Sequence, residues 1–290
     1  MKDATLSVVL ATFNEESNLQ DCLESVQAIA QEIIIVDGTS TDKTVEIAKS
    51  FGAHVIVTDN PKIFHINKQK ALERATNDWI LQLDADERVS PELSHEIQMI
   101  ITLSDDDLTK YQEKLPRRKL FLRHQELLVN RDGKIGSGDG AYNAFFIPRL
   151  NYFLGRYLKY GGVYPDGVIR LVRKGTAQFP CIDVHEQIAV KGRVGWLQHD
   201  LLHRDSPTFT RYLTRNKRYI TLLSGELKND QVSKDIFQML RYFILLPLTW
   251  FGMTYFRHKG FLDSWQGLVF SFFSALRFPR AYWQYLQMKK

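Results

Sequence analysis

The chain of 290 residues is expected to fold as an α/β domain, with a mostly parallel central sheet flanked by helices and amphipathic helices at the C-terminus. Two observations carry this expectation. Short β-rich runs alternate with helical patterns through the first hundred residues, which is how a βαβ sheet covered by helices reads. Between the first two runs, Leu19, Cys22, Leu23 and Val26 recur at i, i+3, i+4 and i+7. A helix with one buried face therefore joins strands that should be parallel.

Strands are expected at Leu6–Ala11, Ile33–Val36, His54–Val57 and Trp79–Leu83, joined by right-handed crossovers. Ser90, Pro91 and Glu92 mark a helix start: a capping hydroxyl, proline at the first helical position and an acid at the positive end of the dipole. That helix places Leu93, Ile97 and Ile100 on one face. Across residues 104–143 the pattern weakens, and the glycine-rich stretch Arg131 to Gly140 reads as a flexible surface excursion, with an acceptor-binding lid as the sharper option. The expected division is a catalytic domain over residues 1–232 and interfacial helices over 233–290.

Charge is unevenly distributed. The whole chain has 38 Lys and Arg against 33 Asp and Glu; residues 204–290 hold 14 and 5 of these, leaving 24 and 28 for the remainder. The basic excess is thus a property of the tail. The tail is also the most aromatic part, with Trp250, Phe251, Trp265, Phe270, Phe272, Phe273, Tyr282 and Trp283, so an anionic membrane surface suits it better than nucleic acid. The uncharged run Tyr242–Phe256 falls short of the about 20 apolar residues a spanning helix needs, and Pro247 interrupts it. Two amphipathic or re-entrant helices in the bilayer interface, over Ile236–Phe256 and Leu262–Leu276, are expected, the other reading being a helical cap packed on the catalytic domain or a dimer interface. Cys22 and Cys181 have no C-x-x-C spacing, which points to neither a zinc site nor a disulfide scaffold and fits a reducing compartment. The polar turn from Thr12 to Ser17 follows the first apolar stretch too soon for a cleavable signal peptide. The expectation from these features is a peripheral protein at the cytoplasmic face of a membrane.

Open parallel sheets bind ligands beyond the carboxyl ends of their strands. There the chain is polar and acidic: Thr12-Phe13-Asn14-Glu15 after the first strand, Asp37 to Asp42 after the second, Asp84-Ala85-Asp86-Glu87 after the fourth. Asp84 and Asp86 repel one another as the chain leaves a buried strand, which calls for a cation. Mg²⁺ or Mn²⁺ takes oxygen ligands and completes its shell with water and phosphate, so one or two carboxylates suffice beside a diphosphate. Neither G-x-G-x-x-G after the first strand nor G-x-x-x-x-G-K-[ST] occurs, which argues against hydride transfer and P-loop phosphoryl transfer.

Three stretches, SVVLATFNEESNL (7–19), IIIVDGTSTDKTVEIAKSFGA (33–53) and NDWILQLDADERVS (77–90), resemble glycosyltransferase family 2 in order and spacing. Later stretches, including VHEQI, HDLLH and KGFLDSWQG, resemble its lipopolysaccharide core glucosyltransferase branch. The resemblance implies a GT-A fold, Rossmann-like, and an inverting, metal-dependent transfer of a hexose-type sugar from a nucleotide diphosphate sugar to a membrane-associated glycan. It implies that Thr12, Asn14, Glu15, Asp37, Lys68, Gln69 and Asp84 lie around the donor, with Asp37 on the base or ribose. It further implies that Asp86 ligates the metal with Asp84 beside it, and that His203 joins that shell ahead of His199 and Asp200. His54, His65, His95 and His124 are read as structural or surface residues. Glu186 is expected to be the general base, with Asp166 as runner-up. Gly38 departs from relatives that carry an acid or serine after Asp37, which leaves the donor base unassigned. A polyprenyl-phosphate glycosyltransferase is the near rival, and an inactive sugar-nucleotide-binding or membrane-scaffolding protein the distant one.

Overall fold

The computed structural model of the chain describes residues 4–182 and 187–288. The chain forms two compact units, one of Met1–Arg149 with Pro165–His203, the other of Leu150–Tyr164 with Arg204–Lys290.

The first unit is built on a mixed sheet. The strands in chain order are β1 (Leu6–Thr12), β2 (Glu32–Asp37), β3 (His54–Val57), β4 (Trp79–Leu83), β5 (Glu87–Val89) and β6 (Tyr142–Phe153), and after the short β7 (Arg156–Leu158) come β8 (Asp166–Arg173), β9 (Ala177–Gln178), β10 (Ala189–Val190), β11 (Arg193–Trp196) and β12 (Leu201–Ser206), of which β9 and β10 pair separately as a two-stranded sheet. The sheet order is β3-β2-β1-β4-β8-β6-β12-β5, with β11 also on β6. β1 pairs in parallel with both β2 and β4, so Val8 faces Ile33 on one side and Leu81 on the other. This is the parallel half expected from the alternation. β8 then runs antiparallel to β4 and to β6, and β12 antiparallel to β5.

Helices α1 (Leu19–Val26), α2 (Thr44–Ser50) and α3 (His65–Arg74) connect the parallel strands. Leu19, Cys22, Leu23 and Val26 are fully buried, and each Leu or Val so removed from water contributes about 1.5–3 kcal/mol. α4 (Pro91–Thr102) starts at Ser90, whose Oγ accepts a bond from Leu93 N at 3.2 Å, and buries Leu93, Ile97 and Ile100.

The stretch 104–143 differs from the expected excursion. It holds α5 (Asp105–Glu113) and α6 (Arg118–Asp132), and irregular backbone is confined to the turns and to residues 133–141. Over the 15 residues of α6 only Phe121 and Leu128 are buried, too sparse a stripe for periodicity to reveal. Phe121 stacks on Trp196 with ring centroids 4.7 Å apart.

In the second unit β7 pairs with Asn151–Phe153, and α7 (Phe209–Asn229) packs along the helix Arg277–Gln287. The expected boundary at 232–233 falls inside this unit. Residues Ile236–Arg257 form one helix of 22 residues, long and apolar enough to cross a membrane, with 6% of its apolar window buried. The sequence expectation was an apolar run interrupted at Pro247 and too short to span; wide π turns before and after Pro247 carry the helix through, since a locally widened ladder accommodates a missing N–H. Tyr242 stacks on Tyr282, their ring centroids 4.7 Å apart.

Candidate active site

The carboxyl ends of β1 and β2 are laced together. The Thr12 hydroxyl donates to Asp37 Oδ1 at 2.9 Å, and Ser40 donates to the same carboxylate from its N–H at 2.8 Å and its hydroxyl at 2.6 Å. Asn14, at φ 55°, donates from its N–H to the Ser40 hydroxyl and accepts from Thr41 N, both at 2.8 Å. Glu15 N–H donates to Thr44 Oγ1 at 2.7 Å, and the Glu15 carboxylate accepts from Asn18. Asp37 was expected to face a nucleoside. It is wholly buried and accepts three hydrogen bonds that fix the two strand ends.

The end of β4 is an ionic cage. Asp84 lies 2.5 Å from Lys68 Nζ on α3 and 2.5 Å from Arg170 Nη2 on β8. Glu87, fully buried, takes Arg170 Nη2 at 2.7 Å and Arg149 Nη1 at 3.3 Å, and accepts the Asp84 N–H at 3.0 Å. Arg149 also donates from Nε and Nη2 to Asp166 Oδ2, at 2.9 and 2.6 Å. Strand register makes these meetings: Arg149 is paired with Asp166 across β6 and β8, and the Leu81–Leu171 pair puts Gln82 beside Arg170, whose guanidinium it accepts.

Burial works to raise the Asp84 carboxyl, but Arg170 and then Lys68 outweigh it and hold the group well below the usual carboxylate range. Burial pulls the Lys68 ammonium down, against Asp84. For Arg170 burial is overcome by Asp84 and Glu87, so the guanidinium is raised. The repulsion expected to call for a cation is thus already met at Asp84 by two protein bases.

Asp86 faces His203, Oδ2 to Nε2 at 3.4 Å, with 16% and 6% of their side chains exposed. The β5–β12 ladder pairs His203 with Glu87, next to Asp86 in the chain. Lys68, Arg149 and Arg170 offset Asp84, Glu87 and Asp166, while the fourth acid looks at an imidazole. Among the described residues no three His, Cys, Asp or Glu side chains converge as a complete metal cage.

The other expected residues sort clearly. Gln69, expected near the donor, donates to Glu73 at 2.7 Å and accepts Phe179 N at 2.8 Å. His199 is held by Glu96 at 2.9 Å rather than brought to Asp86, and Asp200 directly precedes β12. His65 stacks on Phe179 and His124 accepts the Gly167 N–H at 3.1 Å, while His54 and His95 are exposed; all four fit structural or surface roles. Glu186 lies outside the described residues. Sequence reading did not single out Gln82, Arg149 or Arg170, and named Glu87 only as part of the acidic turn after the fourth strand. The available signal was polar residues at inward positions of otherwise apolar strands, ILQL and VIRLV, whose partners only the register identifies.

Residues 7–174 match the family model described as glycosyl transferase family 2. The chain belongs to that family. Its architecture, a sheet with a parallel half carrying the acidic D-x-D segment and helices on its faces, is the GT-A arrangement. An uncharacterized glycosyltransferase of Rickettsia bellii is 42% identical over 112 residues, 38% of this chain; the match spans only 37% of that relative's length. The lipopolysaccharide core biosynthesis glycosyltransferase LpsC of Rhizobium meliloti is 27% identical, covering 94% of this chain and 91% of that one. Among solved structures, the glucosyl-3-phosphoglycerate synthase of Mycobacterium tuberculosis with Mn²⁺, uridine diphosphate and glucosyl-3-phosphoglycerate is 27% identical at a TM-score of 0.26, covering 29% of this chain and 34% of that one.

Proposed function

We propose that this family 2 member transfers a hexose-type sugar, with inversion, from a nucleotide diphosphate donor to a membrane-associated glycan, a lipopolysaccharide core or similar acceptor. It does so as a peripheral protein at the cytoplasmic face. The observation that carries the reading is the cage at the end of β4: an ionised Asp84 held by Lys68 and Arg170, beside Asp86 and His203. The carboxyl edge of a parallel sheet is where such folds take their ligands.

A carboxylate oxygen and an imidazole nitrogen suit Mn²⁺, and Mg²⁺ accepts one carboxylate with phosphate and water. Asp86 and His203 fit that donor set and would hold the cation. When bound, the cation offsets the charge that gathers on the departing diphosphate. The chain's own part is positional: Asp84 keeps the Lys68 ammonium in place, and the Asp37 knot sets the loop beneath the nucleoside. Inversion needs a base opposite the leaving group to take the acceptor's proton. Glu186 is assigned that role. Asp166 is the weaker candidate, because its Oδ2 already holds two of the Arg149 donors, Nε and Nη2.

The relative LpsC, similar along nearly the full chain, supports an envelope-glycan acceptor. The apolar surface of the second unit supports the membrane location. A thermal-shift screen of nucleotide sugars with Mn²⁺ tests the donor class, since a ligand at a hundred times its Kd stabilises by about 2.7 kcal/mol. A shift with one donor, lost in chelator, is the expected result; no shift with any nucleotide sugar would overturn the reading.

A further inference from the structure

The second unit contains a helix that length and composition would allow to cross a bilayer, yet its packing gives it two unlike sides. Phe237, Ile244, Leu248 and Phe256 recur along one side from end to end and are 78, 48, 65 and 63% exposed. On the other side Tyr242, Leu246, Trp250 and Thr254, four residues apart, are buried or half-buried. Tyr242 and Leu246 belong to the apolar cluster that includes Tyr282 and Tyr285, and Trp250 Nε1 donates to Ser274 Oγ at 3.1 Å.

Both ends of the helix are tied to polar chain. Before its start, the hydroxyls of Tyr282 and Tyr285 donate to the carbonyls of Ser233 and Val232, at 3.0 and 2.5 Å. Beyond its end, the His258 carbonyl accepts Gly161 N at 2.9 Å, and the buried Asp263 carboxylate accepts the N–H groups of Lys159 and Tyr160, at 3.0 and 2.8 Å. Alongside lies α7, packed on Arg277–Gln287 and carrying Arg211, Arg215, Lys217, Arg218, Glu226 and Lys228. A helix of 22 residues is about 33 Å long, enough for the roughly 30 Å hydrocarbon core. Standing it across the bilayer would take α7 and its charges with it, at high cost.

From the membrane reading above, we infer that the helix Ile236–Arg257 lies in the plane of one leaflet of an anionic bilayer and does not span it. Its exposed stripe is the inserted face, joined by Trp265, Phe272 and Trp283, which are 55, 50 and 58% exposed. The charge pattern chooses the occupant. From Ile236 to Met288 the single acid is Asp263, buried, while Arg241, Arg257, Lys259 and Arg280 are exposed. Aromatic side chains beside unopposed bases match an anionic headgroup layer.

Depth measurement decides the orientation. Single cysteines replace Phe237, Ile244, Leu248 or Phe256 of the full-length chain in a Cys181→Ser background. Cys22 is buried, with its thiol pushed far above the ordinary range by that burial, and does not label. Each variant carries an environment-sensitive fluorophore on phosphatidylcholine–phosphatidylglycerol vesicles with lipids brominated near the headgroup or near the chain end. All four sites should be quenched more by the shallow bromines, with similar ratios. Deep quenching at Ile244 and Leu248 with shallow quenching at Phe237 and Phe256 means a spanning helix: the inference falls and the membrane reading stands. No quenching, and no flotation with the vesicles, overturns the membrane reading itself.

Discussion

Replacing Arg170 by Met tests whether the cage holds the first unit together. Arg170 Nη2 lies 2.5 Å from Asp84 and 2.7 Å from Glu87, and 8% of its side chain is exposed. Breaking a buried pair by removing one partner costs about 3–5 kcal/mol, because the remaining charge is stranded. Two features place this case at the lower end: Asp84 keeps Lys68 and has 31% of its side chain in water, and Glu87 keeps Arg149 and the Asp84 N–H. A loss of about 3 kcal/mol corresponds to a Tm lowered by roughly 6–12 °C for a unit of this size. Circular dichroism melts at neutral pH supply the measurement, and adding Glu87→Gln should recover part of the loss. The sign with pH also follows. Asp84 is depressed in the folded state, so its contribution is complete above its unfolded value, about 3.9, and is lost as pH falls through the folded value. The gap between wild type and Arg170→Met should therefore hold from neutral pH down to roughly 4 and narrow below that. An Arg170→Met variant melting with wild type at pH 7 would refute the reasoning.

Gly167→Ala places a Cβ 2.3 Å from Trp196 Cη2 and 3.1 Å from His124; urea unfolding should show a loss of about 1–3 kcal/mol. Glu186→Gln should bind the nucleotide sugar normally yet transfer it at least about a hundred times more slowly, measured by single-turnover kinetics; near-normal transfer alongside a dead Asp166→Asn would move the base to Asp166. Gln69→Ala should leave donor affinity unchanged in calorimetry, because its amide serves Phe179 and Glu73.

The parallel half of the fold was readable because its signals are local. Four strands begin or end within a residue of the expected positions, since each is a short apolar run followed by polar residues, and Ser90 caps α4 as its triplet indicates. α6 was not readable, because two buried residues in four turns leave no period. Site reading divided along the same line. That Asp84, Asp86, Lys68 and His203 belong to one neighbourhood was legible from position after strands and from resemblance, whereas the contacts of Arg149, Arg170 and Glu87 depend on antiparallel register between β4, β8 and β6, a long-range fact. Asp37 stands at the expected strand end, and its bonds to Thr12 and Ser40 were not legible, since they depend on how the loops after β1 and β2 meet.

The central claim is that Asp86 and His203 hold the cation that assists departure of the diphosphate. Its most direct test is nucleotide diphosphate release from the donor selected by thermal shift, measured across a Mn²⁺ titration for wild type, Asp86→Ala and His203→Ala. The account predicts a wild type silent in chelator, a His203→Ala variant restored only at higher Mn²⁺, and an Asp86→Ala variant that melts normally and is not rescued at any concentration. An Asp86→Ala variant that releases diphosphate at close to the wild-type rate in chelator would contradict it.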